Sequence, residues 1–275
     1  MEVKMKNNSL LFILIVTYLL SLAGAAIAAV TSDGSKPVYK PEILNEVIAA
    51  SEKCLAEKQT PVVVFDLDST LLNNAPRNRA IIEEFAKGEG SKEVDFVKAV
   101  AGMKDEQIAY SLDDTLKNIG ITDKKVLKEL KNYWYDRFFT DKYVVLDTAY
   151  EGAADYVKKL HSKGIKVVYL TGRDTPDMEK GTIKSLTDCG FPYGDTNAVL
   201  LTKPVKQMKD DEYKKTASAD ILKMGKVIAS FDNEPKNVNL FKEVFPGALV
   251  VFIETNHNPK AVPVDKEIPW IKSWK

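Results

Sequence analysis

Apolar and polar positions follow one another along the chain in blocks that predict strands and helices in turn. Short apolar runs with the length of buried strands lie at 62–65, 165–170, 198–201, 227–231 and 248–253. Segments with helical spacing lie beside these runs, at about 41–58, 148–163, 176–188, 212–224 and after Pro235. This order indicates an α/β fold, in which a Rossmann-like parallel sheet is covered by helices on both faces.

A stretch of about 75 residues after the first strand carries helical patterns and no convincing strand. The helical patterns cover about 77–87, 92–102, 111–118 and 124–138. We therefore predict a helical cap inserted over about 73–146, within one domain that covers 31–275. Aromatic side chains near the end of the last pattern are expected to be core that packs the cap onto the main body: Trp134, Tyr135, Phe138 and Phe139.

The first 30 residues have the pattern of an export signal. Two lysines precede an apolar run over 10–22, and small residues with an Ala-Ile-Ala site at 26–28 follow. The stretch 10–30 is also long enough for a retained membrane anchor, although the small residues favour cleavage. We expect 1–30 to be a signal peptide or N-terminal anchor, and the chain to work outside the cytoplasm, periplasmic or secreted, with a possible membrane tether. The polar segment 31–40 then predicts a linker.

Charge and cysteine content narrow the function classes. Lys plus Arg and Asp plus Glu both total 39, so the formal net charge is zero. Zero net charge removes the global electrostatic case for binding nucleic acid or an anionic membrane surface. The two cysteines, Cys54 and Cys189, do not make a disulfide scaffold. Cys54 lies on the apolar side of the first predicted helix, where a buried thiol is favoured over a bridge to Cys189.

Two carboxylates follow the first strand and share one side of it. Asp66 and Asp68 come directly after the run 62–65, and the period of two turns both toward the crevice beyond the strand's carboxyl end. Like charges this close repel each other unless a proton or a cation lies between them. A divalent ion that accepts oxygen ligands suits that place. The pair therefore indicates chemistry at this edge of the sheet.

Later strands bring further polar groups to the same edge. The second strand ends in Thr171-Gly172-Arg173, whose hydroxyl and backbone N–H groups suit a phosphate oxygen. The fourth ends in Asp232, another carboxylate before a helix. Three of the lysines between these two segments are candidates to reach the same edge: Lys203, Lys214 and Lys215. Taken alone, each group can be explained as a turn, a helix cap or a solvated charge. Parallel strands, however, bring all of these groups to the same edge of the sheet.

These residues resemble, in order and spacing, the four motifs of the haloacid dehalogenase superfamily. The motifs are Asp66-Leu67-Asp68-Ser69-Thr70, Thr171, a lysine and Asp232. Phosphatases of that superfamily carry a second aspartate two residues after the nucleophile, as Asp68 is placed here. A closer resemblance, in the segments 66–74, 151–153, 168–173 and 180–191, is to the secreted class C acid phosphatases.

The chain departs from the class C pattern in three places. It lacks a lipid-acceptor cysteine after the apolar run, and it has Ser69 where that family usually has Glu. Its last motif reads Asp232-Asn233-Glu234-Pro235-Lys236-Asn237, in which the family's second acidic position corresponds to Glu234 or Asn237.

The resemblance implies a Mg²⁺-dependent hydrolase of small phosphomonoesters. Asp66 would attack phosphorus and form an aspartyl-phosphate, and Asp68 would act first as an acid and then as a base. An oxygen of Asp66, the main-chain carbonyl of Asp68 and Asp232 would hold Mg²⁺.

The same resemblance implies a set of groups that bind the substrate phosphate. Thr171 and Gly172 would hold its oxygens together with a lysine. Lys214 is preferred because it opens the helix that leads into the Asp232 strand, and Lys203 and Lys215 stay open. Arg173 either contacts the phosphate or braces its own loop.

Two other functions stay open at this point. One is a phosphatase specific for a single sugar phosphate or nucleotide, with the cap as the selecting element; a substrate panel separates it from a broad enzyme. The other is an exported domain that binds a phosphorylated ligand without turnover. The Asp66–Asp68 pair favours turnover, since binding alone needs no nucleophile.

Overall fold

A computed structural model describes residues 31–275, and the predicted export signal at 1–30 lies outside the described residues. The strands in this part of the chain are β1 (Pro61–Phe65), β2 (Leu72–Asn73), β3 (Thr148–Ala149), β4 (Lys166–Asp174), β5 (Ala198–Lys203), β6 (Lys226–Asp232), β7 (Leu249–Ile253) and β8 (Trp270–Ile271). The helices are α1 (Ile43–Ala56), α2 (Ala75–Lys87), α3 (Val94–Ala101), α4 (Leu112–Asn118), α5 (Lys124–Phe138), α6 (Asp141–Val144), α7 (Ala153–Ser162), α8 (Thr175–Asp188), α9 (Asp210–Met224) and α10 (Pro235–Val244).

A parallel sheet with the order β5-β4-β1-β6-β7-β8 forms the centre of the described part. β1 is buried along its whole length because helices cover both faces, which is why its sequence is continuously apolar. Val63 and Phe65 pack against α1 and α7, whereas Val62 and Val64 pack against α9 and α10. The predicted Rossmann-like α/β fold is confirmed.

Connections leave β1 in opposite directions across the sheet. After the helical segment the chain pairs β4 with one edge of β1 and continues outward to β5, and it then crosses back to place β6 on the other edge. A crevice opens beyond the carboxyl ends of strands where such an order reverses. β1, β4 and β6 therefore deliver the residues that follow them to one place.

Helices α2 to α6 form a separate layer with a core of its own. Side chains such as Phe85, Phe96 and Leu130 make up that core, and the helix ends lie close to the predicted ones. The antiparallel pair β2–β3 joins the layer to the sheet at both of its ends. Chain entry and exit therefore lie side by side, directly beyond β1.

Four local expectations are wrong. The segment 31–40 is not a free linker, because Thr31 bridges to Val264 and Tyr39 bridges to Trp270. The helix expected over 148–163 begins only at Ala153, since the first residues form β3 and a turn. β4 continues through Thr171, Gly172 and Arg173 instead of ending at Leu170, with an irregularity in its pairing to β5 there. β8 is an additional strand.

The carboxyl-terminal segment packs under the end of β1. Trp274 is buried against Phe65 and Phe231, and its indole Nε1 donates a hydrogen bond to the carbonyl of Thr70 at 3.1 Å. Both cysteines are free thiols, and Cys54 is buried as expected. In the range 31–275, no helix is long and apolar enough to cross a membrane.

Candidate active site

Asp66 lies at the end of β1, on the floor of a cavity of about 370 Å³. Its backbone N–H still donates to the carbonyl of Phe231 in β6, so the sheet fixes where the side chain begins. The carboxylate is almost fully buried. Its Oδ1 accepts a hydrogen bond from Lys214 Nζ at 2.7 Å, and the same ammonium donates to Asp232 Oδ2 at 2.7 Å. Three predicted site residues therefore meet around one ammonium.

The candidate lysines are in very different places. Lys214 is buried in the first turns of α9, whereas Lys215 is exposed on the same helix. Lys203 is nearly buried, but its ammonium donates to Asp210 Oδ1 at 2.7 Å and to the carbonyl of Met208 at 3.0 Å. Lys203 therefore ties down its own loop, and Lys214 is the candidate that reaches Asp66.

The buried charges around Lys214 do not balance. Burial raises the pKa of Asp66 to about 7, although Lys214 opposes the shift. Burial, with the charge of Asp232, also raises the pKa of Glu234 to about 8. When all three carboxyl groups ionise, a single ammonium faces them. The floor of the cavity therefore favours the arrival of another cation.

The donor atoms available for that cation suit Mg²⁺. Asp66 and Asp232 supply carboxylate oxygens beside each other, and carboxylate and carbonyl oxygens are the ligands that Mg²⁺ prefers. No group of three or more His, Cys, Asp or Glu side chains in the same range is placed to ligate a metal together. Two carboxylates and the Asp68 carbonyl still fit Mg²⁺, because this ion usually retains several waters.

The two candidates for a second acidic position differ in what they contact. Asn237 Nδ2 donates to both oxygens of Asp232, at 3.0 and 3.1 Å, so it orients that carboxylate. Glu234 lines the cavity and lies 3.3 Å from the backbone nitrogen of Asn258. Both residues line the cavity, and Glu234 is the candidate that carries a carboxylate.

Asp68 is held by two arginines. Arg173 Nε donates to Asp68 Oδ2 at 2.7 Å, and Arg77 Nη2 contacts Asp68 Oδ1. Burial would raise the pKa of Asp68, but Arg173 and Arg77 outweigh it and hold the pKa well below its usual range. A second buried carboxylate, Asp147, also contacts both arginines.

Arg77 and Asp147 are site residues that the sequence reasoning missed. A signal existed for Arg77, since it falls on the apolar stripe of α2 with Ile81 and Phe85, four and eight residues later. A charged residue on such a stripe needs a buried partner. Asp147 follows the short helix α6, and the sequence around it has no periodicity that would indicate a buried position.

The segment expected to bind phosphate reaches the cavity only in part. Gly172 and Arg173 line it, and a Cβ at Gly172 would overlap the carboxylate of Asp210, so a side chain there would require the exposed Asp210 side chain to move. Thr171 is fully buried beneath them, and its Oγ1 accepts a hydrogen bond from the Arg173 N–H at 3.2 Å. Of the two roles left open for Arg173, the contacts with Asp68 and Asp147 correspond to bracing.

Aromatic side chains of the helical layer form the outer wall of the cavity. Trp134 and Phe138 stack with ring centroids 4.3 Å apart, and Phe139 and Tyr110 line the same wall. The expectation that the aromatic cluster is core is confirmed only in part. Trp134 and Phe138 are half-buried against the core of the helical layer, whereas Tyr135 is exposed. A second cavity of about 320 Å³ adjoins the first and shares Tyr110 and Trp134 with it.

Comparison with protein families identifies the chain. The model of haloacid dehalogenase-like hydrolases matches residues 60–238, which is more than half of the sequence. The chain belongs to this family. The match spans Asp66, Lys214 and Asp232, and the superfamily resemblance seen in the sequence is confirmed.

Solved structures similar to this hydrolase have low sequence identity. A protein assigned as a phosphatase from Clostridium difficile is 17% identical, with 78% of this chain and 94% of that chain covered and a TM-score of 0.49. A haloacid dehalogenase-like family hydrolase from Streptococcus pneumoniae is 12% identical, with coverages of 77% and 93% and a TM-score of 0.47. CbbY from Rhodobacter sphaeroides, solved with phosphate, is 13% identical, with coverages of 78% and 94% and a TM-score of 0.43. No curated protein matches the chain.

Replacing Lys214 by Met is expected to lower the turnover of this hydrolase by at least about 10²-fold, because it removes the ammonium that donates to Asp66. Lys215→Met is the matched control on the same helix and should retain the wild-type rate. Rates of hydrolysis and urea unfolding of each variant provide the test. Loss of turnover in Lys203→Met, with Lys214→Met active, would contradict the assignment.

Proposed function

We propose that the protein is a Mg²⁺-dependent phosphomonoester hydrolase that works through an aspartyl-phosphate. The observation that carries the proposal is the state of the Asp66 carboxylate. Lys214 holds Oδ1, while Oδ2 accepts no hydrogen bond from residues 31–275 and belongs to a side chain on the cavity floor. A carboxylate that is fixed by a hydrogen bond at one oxygen, and has no hydrogen bond at the other, is suited to nucleophilic attack.

The first half-reaction transfers the phosphoryl group to the protein. An oxygen of Asp66 forms a bond to phosphorus as the bond to the leaving oxygen breaks. The negative charge of the bound phosphate opposes the effect of Arg173 and Arg77 and raises the pKa of Asp68, so that Asp68 can carry a proton. Asp68 then gives this proton to the leaving alkoxide, which departs as an alcohol. The ammonium of Lys214 stabilises the charge on the phosphoryl oxygens during this step.

The second half-reaction restores the carboxylate. A water attacks phosphorus while Asp68 takes its proton, and the bond between phosphorus and the Asp66 oxygen breaks. Inorganic phosphate leaves, and Asp68 carries a proton for the next cycle. Mg²⁺ held by Asp66, the Asp68 carbonyl and Asp232 would neutralise part of the phosphate charge.

The finer assignment is an exported, broad-specificity acid phosphatase similar to those of class C. The sequence pattern at 1–30 supports export, and the motif segments support the class. An aromatic wall built from Trp134, Phe138 and Phe139 suits leaving groups with an apolar face.

The second candidate, a phosphatase specific for one metabolite, is favoured by the position of this wall in the helical layer. Similar kcat/KM values across a panel of phosphomonoesters would support the broad enzyme, and one dominant value the specific one.

Hydrolysis of p-nitrophenyl phosphate with Mg²⁺ or with EDTA, at pH 5 and pH 7.5, tests the proposal. We expect turnover with Mg²⁺ and its loss with EDTA. Burial raises the pKa of Asp66 to about 7, so without a cation the nucleophile is mostly protonated at pH 5. Bound Mg²⁺ lowers that pKa, and stimulation by Mg²⁺ should therefore be larger at pH 5 than at pH 7.5. Full activity in EDTA at pH 5 would contradict the metal assignment.

A further inference from the structure

Two arginines and two aspartates form a buried set between the helical layer and the sheet. We call Asp68, Arg77, Asp147 and Arg173 the four-residue cluster. Arg77 comes from α2 and Asp147 from the end of the helical layer, whereas Arg173 comes from β4. Three of the four side chains have at most 1% of their surface exposed, and Asp68 has 29%. The cluster is thus neutral and closed except at Asp68, which opens to the cavity.

Every nitrogen of the Arg77 guanidinium lies against another group. Nη2 contacts Asp68 Oδ1, Nη1 donates to the carbonyl of Phe138 at 3.1 Å, and Nε lies 3.0 Å from Asp147 Oδ1. The guanidinium also lies over the ring of Phe138, 3.9 Å from its centroid. Nε makes no hydrogen bond at this distance within residues 31–275, but it is buried with the rest of the side chain. With no exposed surface, Arg77 is poorly placed to bind a substrate phosphate itself.

Asp147 and Arg173 complete the frame around Asp68. Arg173 Nη2 donates to Asp147 Oδ2 at 2.5 Å and to Asp68 Oδ1 at 3.1 Å, and Nη1 donates to Thr182 Oγ1 at 3.2 Å. Without Arg77, two carboxylates would share one guanidinium. Asp68 is the member with free space beside it, so its carboxylate is the one that would move.

We propose that Arg77 is a positioning residue that fixes the orientation of the Asp68 carboxylate and couples it to Phe138 of the aromatic wall. This inference rests on the proposed function, in which Asp68 transfers the proton. The helical layer then does more than enclose the substrate. It supplies one of the two guanidinium groups that orient the carboxylate of Asp68, the proposed proton donor.

A double-mutant cycle in the full chain tests the coupling. The variants are Arg77→Met, Asp68→Asn and the pair, assayed with glycerol 2-phosphate, whose alkoxide leaving group requires a proton. Arg77→Met should lower kcat by about 10- to 100-fold, a part of the loss expected without acid–base catalysis. The inhibition constant for inorganic phosphate should stay within about threefold. In the Asp68→Asn background the same substitution should change kcat by less than about threefold, because coupled residues are not additive.

Two outcomes of the cycle would overturn the inference while the proposed function stands. One is an equal loss of kcat in both backgrounds, which would mean that Arg77 does not act through Asp68. The other is a large rise in the phosphate inhibition constant, which would make Arg77 a binding residue. Arg79→Met is the matched control, since Arg79 lies two residues further along α2 and pairs with Asp105 at the surface. It should retain wild-type kcat.

Further measurements distinguish a positioning role of Arg77 from a loss of stability and from a failure of the proposed function. Arg77→Lys keeps the positive charge but lacks the planar guanidinium with its several donors. It should therefore fold if Arg77→Met does not, and its loss of kcat should again depend on Asp68. A wild-type chain without turnover would refute the proposed function. The crystal structure of an Arg77 variant then decides the inference by itself. A displaced Asp68 carboxylate would support it, and an unchanged one would overturn it.

Discussion

Asp66→Asn is expected to abolish turnover while the fold and phosphate binding persist. The amide is not a nucleophile, so kcat should fall by at least about 10⁴-fold, as for other enzymes that lose their nucleophile. Its oxygen can still accept the hydrogen bond from Lys214, which keeps the ammonium near its present place. Rates with p-nitrophenyl phosphate and calorimetric titration with inorganic phosphate measure the two effects.

The same variant should also have a stability that depends less on pH. Burial raises the pKa of Asp66 from 3.8 to about 7, so between these values the folded chain holds a proton that the unfolded chain has lost. The contribution of Asp66 to stability therefore falls as pH rises through this window, and asparagine removes that fall. Urea unfolding should show Asp66→Asn gaining on the wild type between pH 5 and pH 7.5.

Asp210→Asn is a control for the loss of a carboxylate from the same cavity. Asp210 lines the cavity and pairs with Lys203, away from Lys214. It should retain most of the turnover. Substantial activity in a clean preparation of Asp66→Asn would remove the aspartyl-phosphate from the proposal.

Asp68→Asn is expected to lower kcat by about 10²- to 10⁴-fold, the usual range for a missing acid–base group. The loss should be greater for glycerol 2-phosphate than for p-nitrophenyl phosphate, because nitrophenolate leaves without needing a proton. Comparing kcat for the two substrates in variant and wild type is the measurement. Wild-type rates with both would mean that another group moves the proton.

Stability should also respond to this substitution. Asparagine keeps one oxygen that can accept from Arg173 or Arg77, but the two guanidinium groups are left with Asp147 as their only carboxylate. Losing a hydrogen-bonded charge from such a set costs about 1–3 kcal/mol of unfolding free energy. Urea unfolding at neutral pH would measure this cost.

The sequence predicted elements whose signal is local. β1 and β6 are continuous apolar runs, and α2 and α5 repeat their apolar positions with helical spacing, so their bounds were close. The pair β2–β3 and the strand β8 have two residues each, which is too short for any period. Pairing with distant segments creates them.

Prediction of the site also depended on patterns that lie within short segments of the sequence. Asp66, Lys214 and Asp232 meet because parallel strands end at one edge, and that rule needs only strand positions. Arg77 and Asp147 meet because the helical layer folds back over this edge, which periodicity does not contain. Trp134 and Phe138 have the spacing of core residues, since a cavity wall and a core both require apolar side chains on one face.

Both ends of the described segment are joined at one side of the protein, and this arrangement sets an order of events during synthesis. Tyr39 bridges to Trp270, and Trp274 donates a hydrogen bond to the carbonyl of Thr70, four residues after Asp66. A ribosome makes Asp66 long before it makes Trp274. The loop that follows Asp66 therefore gains this buried support only after the segment that carries Trp274 has been translated.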